Sequence, residues 1–196
     1  MGQVVTPQTT IVTVPGWSGS GPDHWQSIWE REHPEYRRVE LRDWRSVQRT
    51  HWVLGLERAL AAVPGEVVLA AHSLGCLTVV WWAALNGRRS SQVRGAMLVA
   101  PPSLTSSCCL LPALASFGPV PVVPLPFPSL VVASENDPYA SLEEAADMAS
   151  AWGSELHNAG LAGHINTASG HGAWSEGQQC LTQFAGGLRA AQAFGA

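Results

Sequence analysis

The stretch VVLAAHSLGC at residues 67–76 decides the fold of this 196-residue chain. Its first five residues are apolar, which is typical of a short buried strand, and a helical pattern begins at Leu74. Ser73 therefore lies in a turn between a strand and a helix. The residues two positions on either side of it, Ala71 and Gly75, are small. Such a turn needs small residues there because it brings the two backbones close together, although glycine is more usual at the first position.

This turn predicts that Ser73 is a nucleophile, because a strained strand-to-helix turn lifts the serine hydroxyl above the end of the strand. The turn also leaves the Leu74 N–H at a helix N-terminus, where it is available to donate to an anion. The alternative is that Ser73 only caps the helix, as serines often do. The rest of the chain decides between these two interpretations.

Short apolar runs alternate with helical patterns along the whole chain. Strand patterns occupy residues 11–14, 37–41, 67–71, 96–100, 130–133 and 155–158. Helical patterns occupy residues 24–31, 47–63, 74–85, 142–152 and 177–194. Apolar strands interleaved with helices predict a mainly parallel six-stranded sheet with helices on both faces, a three-layer α/β fold. The long segment 101–128, rich in proline and serine, either crosses the surface or shapes a substrate site.

Length and composition exclude several classes of protein. The length fits one domain over residues 1–196. Charged residues make up 13% of the chain and the net charge is −4, which does not favour binding to nucleic acid or an anionic membrane. No apolar run approaches a membrane span and the N-terminus lacks a secretory pattern, so we expect a cytoplasmic protein. Cys76, Cys108, Cys109 and Cys180 show no metal-binding spacing and predict reduced thiols without a metal.

Two further residues complete the arrangement that an active serine needs, namely a base and an acid that orients the base. In a sheet of this kind the acid and then the histidine follow the serine along the chain, each after a strand. Asp137 follows the fifth predicted strand, and Pro138 restricts the backbone at Asp137 to a turn. His164 follows the sixth. We therefore predict a catalytic triad of Ser73, Asp137 and His164.

Other residues compete for the same roles. Glu135 is an alternative acid, two residues before Asp137. His171 lies in a glycine-rich stretch, from which it is an alternative base or a residue that lines the site. His157 falls within the sixth strand and is expected to pack there, and His72 is expected to point away from the site.

The glycine-rich loop PGWSGSG at residues 15–21 follows the first strand, beside the predicted nucleophile. Its glycines allow the backbone to approach a reacting carbonyl, and we predict the backbone N–H groups of Trp17 and Leu74 as oxyanion donors. A nucleotide-binding loop is the alternative, but the glycine spacing does not match that motif and no lysine accompanies it. The side chains of Trp17 and Trp174 are predicted to line the substrate pocket, with plain packing equally open for Trp174.

Four stretches of the sequence together resemble one family. They are PGWSGSGPDHWQSIWE, AHSLGC, LPFPSLVVASENDPY and AGHINTASGHGAWSEG, in that order along the chain. The sequence resembles the small serine hydrolases of the α/β-hydrolase superfamily, the group that includes the retinoblastoma-binding-protein-nine-like and YdeN-like proteins. The resemblance covers nearly the whole chain and implies the same triad in an α/β-hydrolase fold with no large cap domain. The pair His24-Trp25 belongs to the shared pattern, and we expect it to anchor the glycine-rich loop.

The resemblance also implies an activity, the hydrolysis of esters and sometimes amides of small carboxylic acids. We therefore predict a carboxylesterase that acts on small-molecule esters through an acyl-enzyme, without a cofactor. An amidase, a thioesterase or an acyltransferase with the same triad is the alternative, as is a weakly catalytic binding module on the same fold. The sequence predicts no oligomeric state.

Overall fold

The computed structural model describes residues 9–86, 91–105 and 112–194. Its strands are β1 (Thr10–Val14), β2 (Arg37–Arg38), β3 (Val67–His72), β4 (Val93–Val99), β5 (Ser129–Ala133) and β6 (Glu155–Asn158). Its α-helices are α1 (Trp25–Glu32), α2 (Arg49–Ala62), α3 (Leu74–Asn86), α4 (Leu142–Trp152) and α5 (Ser175–Phe194). Every strand and helix predicted from the sequence is present, with small shifts at the ends.

The six strands form one parallel sheet in the order β2-β1-β3-β4-β5-β6. β3 and β5 are buried along their whole length. One apolar core lies between the sheet and α2, α3 and α4, and a second contains side chains of α1 and α5. The predicted three-layer α/β architecture is confirmed. Because all strands run in one direction, their carboxyl ends meet at one edge of the sheet, and the site loops leave from that edge.

Two strands differ in length from the prediction. β2 ends at Arg38 because β1 stops at Val14, where the glycine-rich loop begins, and leaves no partner for the residues after Val39. β4 begins at Val93, three residues before the predicted start. Gly95 interrupts the apolar pattern there, but a glycine fits because α5 packs directly on it with the side chain of Phe184.

The long segment between β4 and β5 is partly described. Its 3-10 helix, Pro112–Phe117, is attached to α2 through Ser116, whose hydroxyl accepts from the Arg49 N–H and donates to the Val47 carbonyl, both at 3.1 Å. The Trp81 indole N–H donates to the Phe117 carbonyl at 2.8 Å. These bonds hold the 3-10 helix against α2 and α3.

The cysteines fall into two groups. Cys76 is free and buried, and Cys180 is free and partly buried. Cys108 and Cys109 lie outside the described residues. None of the helices in the described ranges combines the length and apolarity needed to cross a membrane.

Candidate active site

Ser73 occupies a tight turn between the end of β3 and the start of α3. Its φ angle is +53°, in the left-handed region, which costs energy for any residue other than glycine. A Cβ on Gly75 would collide with the carbonyl oxygens of Val14 and Pro15, so a glycine is required where α3 passes the end of β1. The Ser73 N–H donates to the Val99 carbonyl at 2.9 Å, which ties the strained turn to β4.

The structure brings the three predicted triad residues together. His164 Nε2 lies 2.9 Å from Ser73 Oγ. His164 Nδ1 lies 2.9 Å and 3.0 Å from the two carboxylate oxygens of Asp137. Because a carboxylate only accepts hydrogen bonds, Nδ1 carries the proton of the neutral ring, and Nε2 accepts from the serine hydroxyl. The side chains of His164 and Asp137 are 9% and 4% exposed, so water competes little for this hydrogen-bonded chain.

Hydrogen bonds between loops hold the acid and the histidine in position. The Asn136 amide oxygen accepts from the Gly163 N–H at 2.7 Å, directly linking the two loops. Ser134, at the end of β5, donates to the Gly160 carbonyl at 3.1 Å. The Tyr139 N–H donates to an Asp137 oxygen at 2.9 Å, and the Tyr139 ring packs edge-on against the His164 ring with centroids 4.5 Å apart.

The structure places the competing residues elsewhere. Glu135 is exposed and accepts from the Asn158 side chain at 2.8 Å. His171 lies 3.2 Å from the Ser169 hydroxyl, and His157 is exposed on β6. Neither histidine borders the cavity that contains Ser73. Within the described ranges, no three His, Cys, Asp or Glu side chains are grouped to hold a metal ion.

Two histidines that sequence reasoning did not place at the site lie in it. His72 was expected to point away, but it borders the cavity, and its ring centroid is 4.9 Å from that of His164. His72 Nε2 donates to the His164 backbone carbonyl at 3.0 Å, because a carbonyl only accepts. Burial lowers the pKa of His72 well below its usual range, with smaller contributions from His24 and His164, so the ring is neutral. His24 borders the same cavity.

The glycine-rich loop approaches Ser73 closely. A Cβ on Gly16 would lie 2.8 Å from Ser73 Cβ, so only glycine fits without displacement. The loop is secured through Gln26, a fully buried side chain at the start of α1. Its amide nitrogen donates to the carbonyls of Val14 and Ala70 at 3.2 and 2.9 Å, and its oxygen accepts from the Ser20 hydroxyl at 2.6 Å. The pair His24-Trp25 was expected to anchor the loop, but these side-chain bonds come from the next residue, Gln26.

The cavity above Ser73 has a volume of about 330 Å³. Apolar side chains contribute much of its wall, namely Trp17, Leu74, Pro102, Leu114 and Tyr139. No Arg, Lys, Asp or Glu is among the described residues that line it. The cavity therefore suits an uncharged, partly apolar molecule.

Trp174 requires a correction, because the structure does not place it in this cavity. Its ring stacks on that of Trp29, with centroids 5.8 Å apart and planes 9° from parallel, and it meets Trp25 edge-on at 5.3 Å. It borders a separate surface pocket beside β6 and α5. Plain packing, the alternative stated for Trp174, fits this position against α1 better than contact with substrate.

Comparison with known proteins identifies the family. A family model described as serine hydrolase matches residues 11–183, most of the chain. The chain belongs to this serine hydrolase family. No curated protein matched the sequence.

Solved structures agree with the family. The serine hydrolase is 36% identical to a protein from Pectobacterium atrosepticum described as a YdeN-like hydrolase, over 92% of both chains, with a TM-score of 0.83. It is 20% identical to the ydeN gene product of B. subtilis, over 91% of this chain and 98% of that one, with a TM-score of 0.68. The resemblance to the YdeN-like group and the α/β-hydrolase fold are both confirmed.

A more distant likeness is to Est1E from Butyrivibrio proteoclasticus, in a structure with bound ferulic acid. The two chains are 11% identical over 89% of this chain and 90% of that one, with a TM-score of 0.60. At this level of identity the likeness shows the α/β-hydrolase fold alone.

Proposed function

We propose that this serine hydrolase is a carboxylesterase that cleaves small, uncharged esters with Ser73, His164 and Asp137 as its catalytic triad. The observation that carries the proposal is the continuous chain of hydrogen bonds from the carboxylate through the imidazole to the serine hydroxyl. A serine that only caps a helix has no need of a buried histidine at 2.9 Å and a carboxylate behind it.

The geometry supports acyl transfer through a covalent intermediate. His164 Nε2 takes the Ser73 proton as Oγ attacks the ester carbonyl, and Asp137 holds the imidazole in the required tautomer and stabilises the imidazolium. His164 then gives the proton to the leaving alcohol, so that the C–O bond breaks and an acyl-serine forms. Water attacks this ester in the same way, with His164 again as base, and releases the acid and the free serine.

The oxyanion of each tetrahedral intermediate needs hydrogen-bond donors beside Ser73. Leu74 begins α3 directly after the serine, so its N–H has no partner within the helix and is favoured by the helix dipole. Trp17 borders the same cavity, in the loop whose Gly16 lies against Ser73. We therefore assign the backbone N–H groups of Leu74 and Trp17 to the oxyanion hole, where one such donor contributes about 3 kcal/mol to catalysis.

The volume and lining of the cavity fit an ester of modest size. Its apolar wall is suited to hydrocarbon parts of the substrate, and the absence of a charged side chain from its described lining disfavours a substrate that carries a carboxylate or phosphate. The same triad serves amides and thioesters, so the choice of ester rests on the activity that the resemblance to small serine hydrolases implies. Profiling with an ester, an amide and a thioester of the same acyl group tests this choice.

A fluorophosphonate probe with intact-mass detection tests the triad. We expect the native protein to gain one label, Ser73→Ala to gain none, and His164→Asn and Asp137→Asn to react at least about 1,000-fold more slowly, since triad members act as a unit. The matched controls are His157→Asn and Glu135→Gln, the competing residues that lie outside the cavity, and both should label at the native rate. A folded native protein that remains unlabelled would contradict the proposal and favour a binding module.

A further inference from the structure

His24 is held in one tautomer by its place at the start of α1. It is the residue before the first helical turn, and its Nδ1 accepts from the Gln26 backbone N–H at 3.2 Å. A backbone N–H only donates, so Nδ1 has no proton in the neutral ring. The proton of the neutral imidazole therefore lies on Nε2, at the opposite edge of the ring.

That Nε2 is a buried donor without an acceptor. His24 is only 6% exposed, and within residues 9–86, 91–105 and 112–194 no oxygen, nitrogen or sulfur accepts from Nε2. Burial, the nearby Arg38 and then His164 lower the pKa of His24 to about 4, so the ring is neutral near pH 7. Buried donors in folded proteins are almost always paired, and an exception calls for an explanation.

The ring is packed between two aromatic neighbours. It packs against the Trp25 ring with centroids 5.3 Å apart and meets the His72 ring edge-on at 4.7 Å. His72 in turn contacts His164, so His24 lies behind the catalytic base and borders the cavity that contains Ser73. The ring that carries the unpaired donor is thus packed at the wall of the substrate cavity.

We propose that His24 is a specificity-determining residue whose Nε2–H donates to an oxygen of the substrate other than the scissile carbonyl. The inference rests on the proposed esterase function. An ether, hydroxyl or carbonyl oxygen in the acyl or the alcohol part fits a single neutral donor. A carboxylate does not, because the described lining carries no cationic side chain to neutralise it.

Two substitutions distinguish the role of His24 as a hydrogen-bond donor from its role as the helix cap. His24→Asn places an amide oxygen near the position of Nδ1, which retains the cap, and removes the distal donor. His24→Gln places an amide nitrogen near the position of Nε2, which retains the donor. His33→Asn is the matched control, because His33 lies at the other end of α1 and does not border the cavity.

The substrates are pairs in which one CH₂ is replaced by oxygen. The acyl pair is 4-nitrophenyl pentanoate and 4-nitrophenyl 3-methoxypropanoate, and the alcohol pair is butyl butanoate and 2-methoxyethyl butanoate. For one pair we expect the ratio of kcat/KM, oxygen over CH₂, to fall about three- to tenfold in His24→Asn and to recover in His24→Gln. The pair that responds shows which part of the substrate carries the oxygen. Unchanged ratios in both pairs, or an equal fall in His33→Asn, would overturn the inference.

A binding measurement decides the inference even if the esterase proposal fails. In the Ser73→Ala variant, the ¹⁵N-resolved Nε2–H resonance of His24 is followed while methyl 3-methoxypropanoate, 2-methoxyethyl butanoate or the matching CH₂ ester is added. A shift with an oxygen-containing ester alone supports the inference. No shift with any ester overturns it. Absence of hydrolysis of all four substrates by the native protein contradicts only the esterase function.

Discussion

Replacement of Gly16 by alanine tests whether catalysis depends on the close approach of the glycine-rich loop to Ser73. The added Cβ would lie 2.8 Å from Ser73 Cβ and 3.1 Å from the His72 carbonyl oxygen. Carbon atoms pack comfortably from about 3.4 Å, so the loop or the serine must move by about 0.6 Å. Neither neighbour yields easily, because the serine Cβ and the His72 carbonyl both belong to the strained turn.

A displacement of this size acts on the proposed oxyanion hole. It shifts the Trp17 N–H relative to the carbon that Ser73 attacks in the proposed mechanism, and a misplacement of about 1 Å costs on the order of 100-fold in rate. We therefore expect kcat to fall about 10- to 100-fold in Gly16→Ala, with a much smaller change in KM, since the donor acts mainly on the transition state.

Gly21→Ala is the control, because Gly21 belongs to the same loop and an added Cβ there meets nothing within 4 Å. Steady-state kinetics with 4-nitrophenyl butanoate measures the effect, and thermal unfolding followed by circular dichroism shows whether both variants fold. A Gly16→Ala protein with native kcat, or equal losses in both folded variants, would refute the reasoning.

Two further predictions concern the aromatic cluster and pH. Trp174→Ala should lower the free energy of unfolding by about 2–3 kcal/mol in urea denaturation, yet leave kcat/KM within about threefold. A large change in the preference among esters would instead support a position of Trp174 in the substrate pocket. Because the pKa of His24 is lowered from 6.5 to about 4 on folding, the unfolded chain takes up a proton there first as the pH falls. Stability is therefore lost between these two values. Between pH 7 and pH 5 the free energy of unfolding of the native protein should fall by about 2 kcal/mol more than that of His24→Asn. Equal falls in the two proteins would show that folding does not lower the pKa of His24.

The main features of the site were predictable from local sequence signals. The small residues Ala71 and Gly75 around Ser73 indicate a tight turn, because no larger side chain fits where strand and helix backbones cross. Asp137 and His164 each follow a strand. In a parallel sheet the carboxyl ends of the strands share one edge, so residues that follow different strands are brought together. The alternation of strands and helices likewise predicted the layers of the fold.

The tertiary structure alone decided how the surrounding rings are used. His72 was expected to point away, yet its Nε2 meets the backbone carbonyl of a residue 92 positions later. Trp174 was predicted from the sequence to line the substrate pocket, but its ring stacks on Trp29 and meets Trp25 edge-on. Whether a ring packs, binds or donates depends on neighbours from distant parts of the chain. For His24 the helix cap is a local contact. The burial of its Nε2, which has no acceptor among the described residues, depends on packing against the ring of His72 from β3.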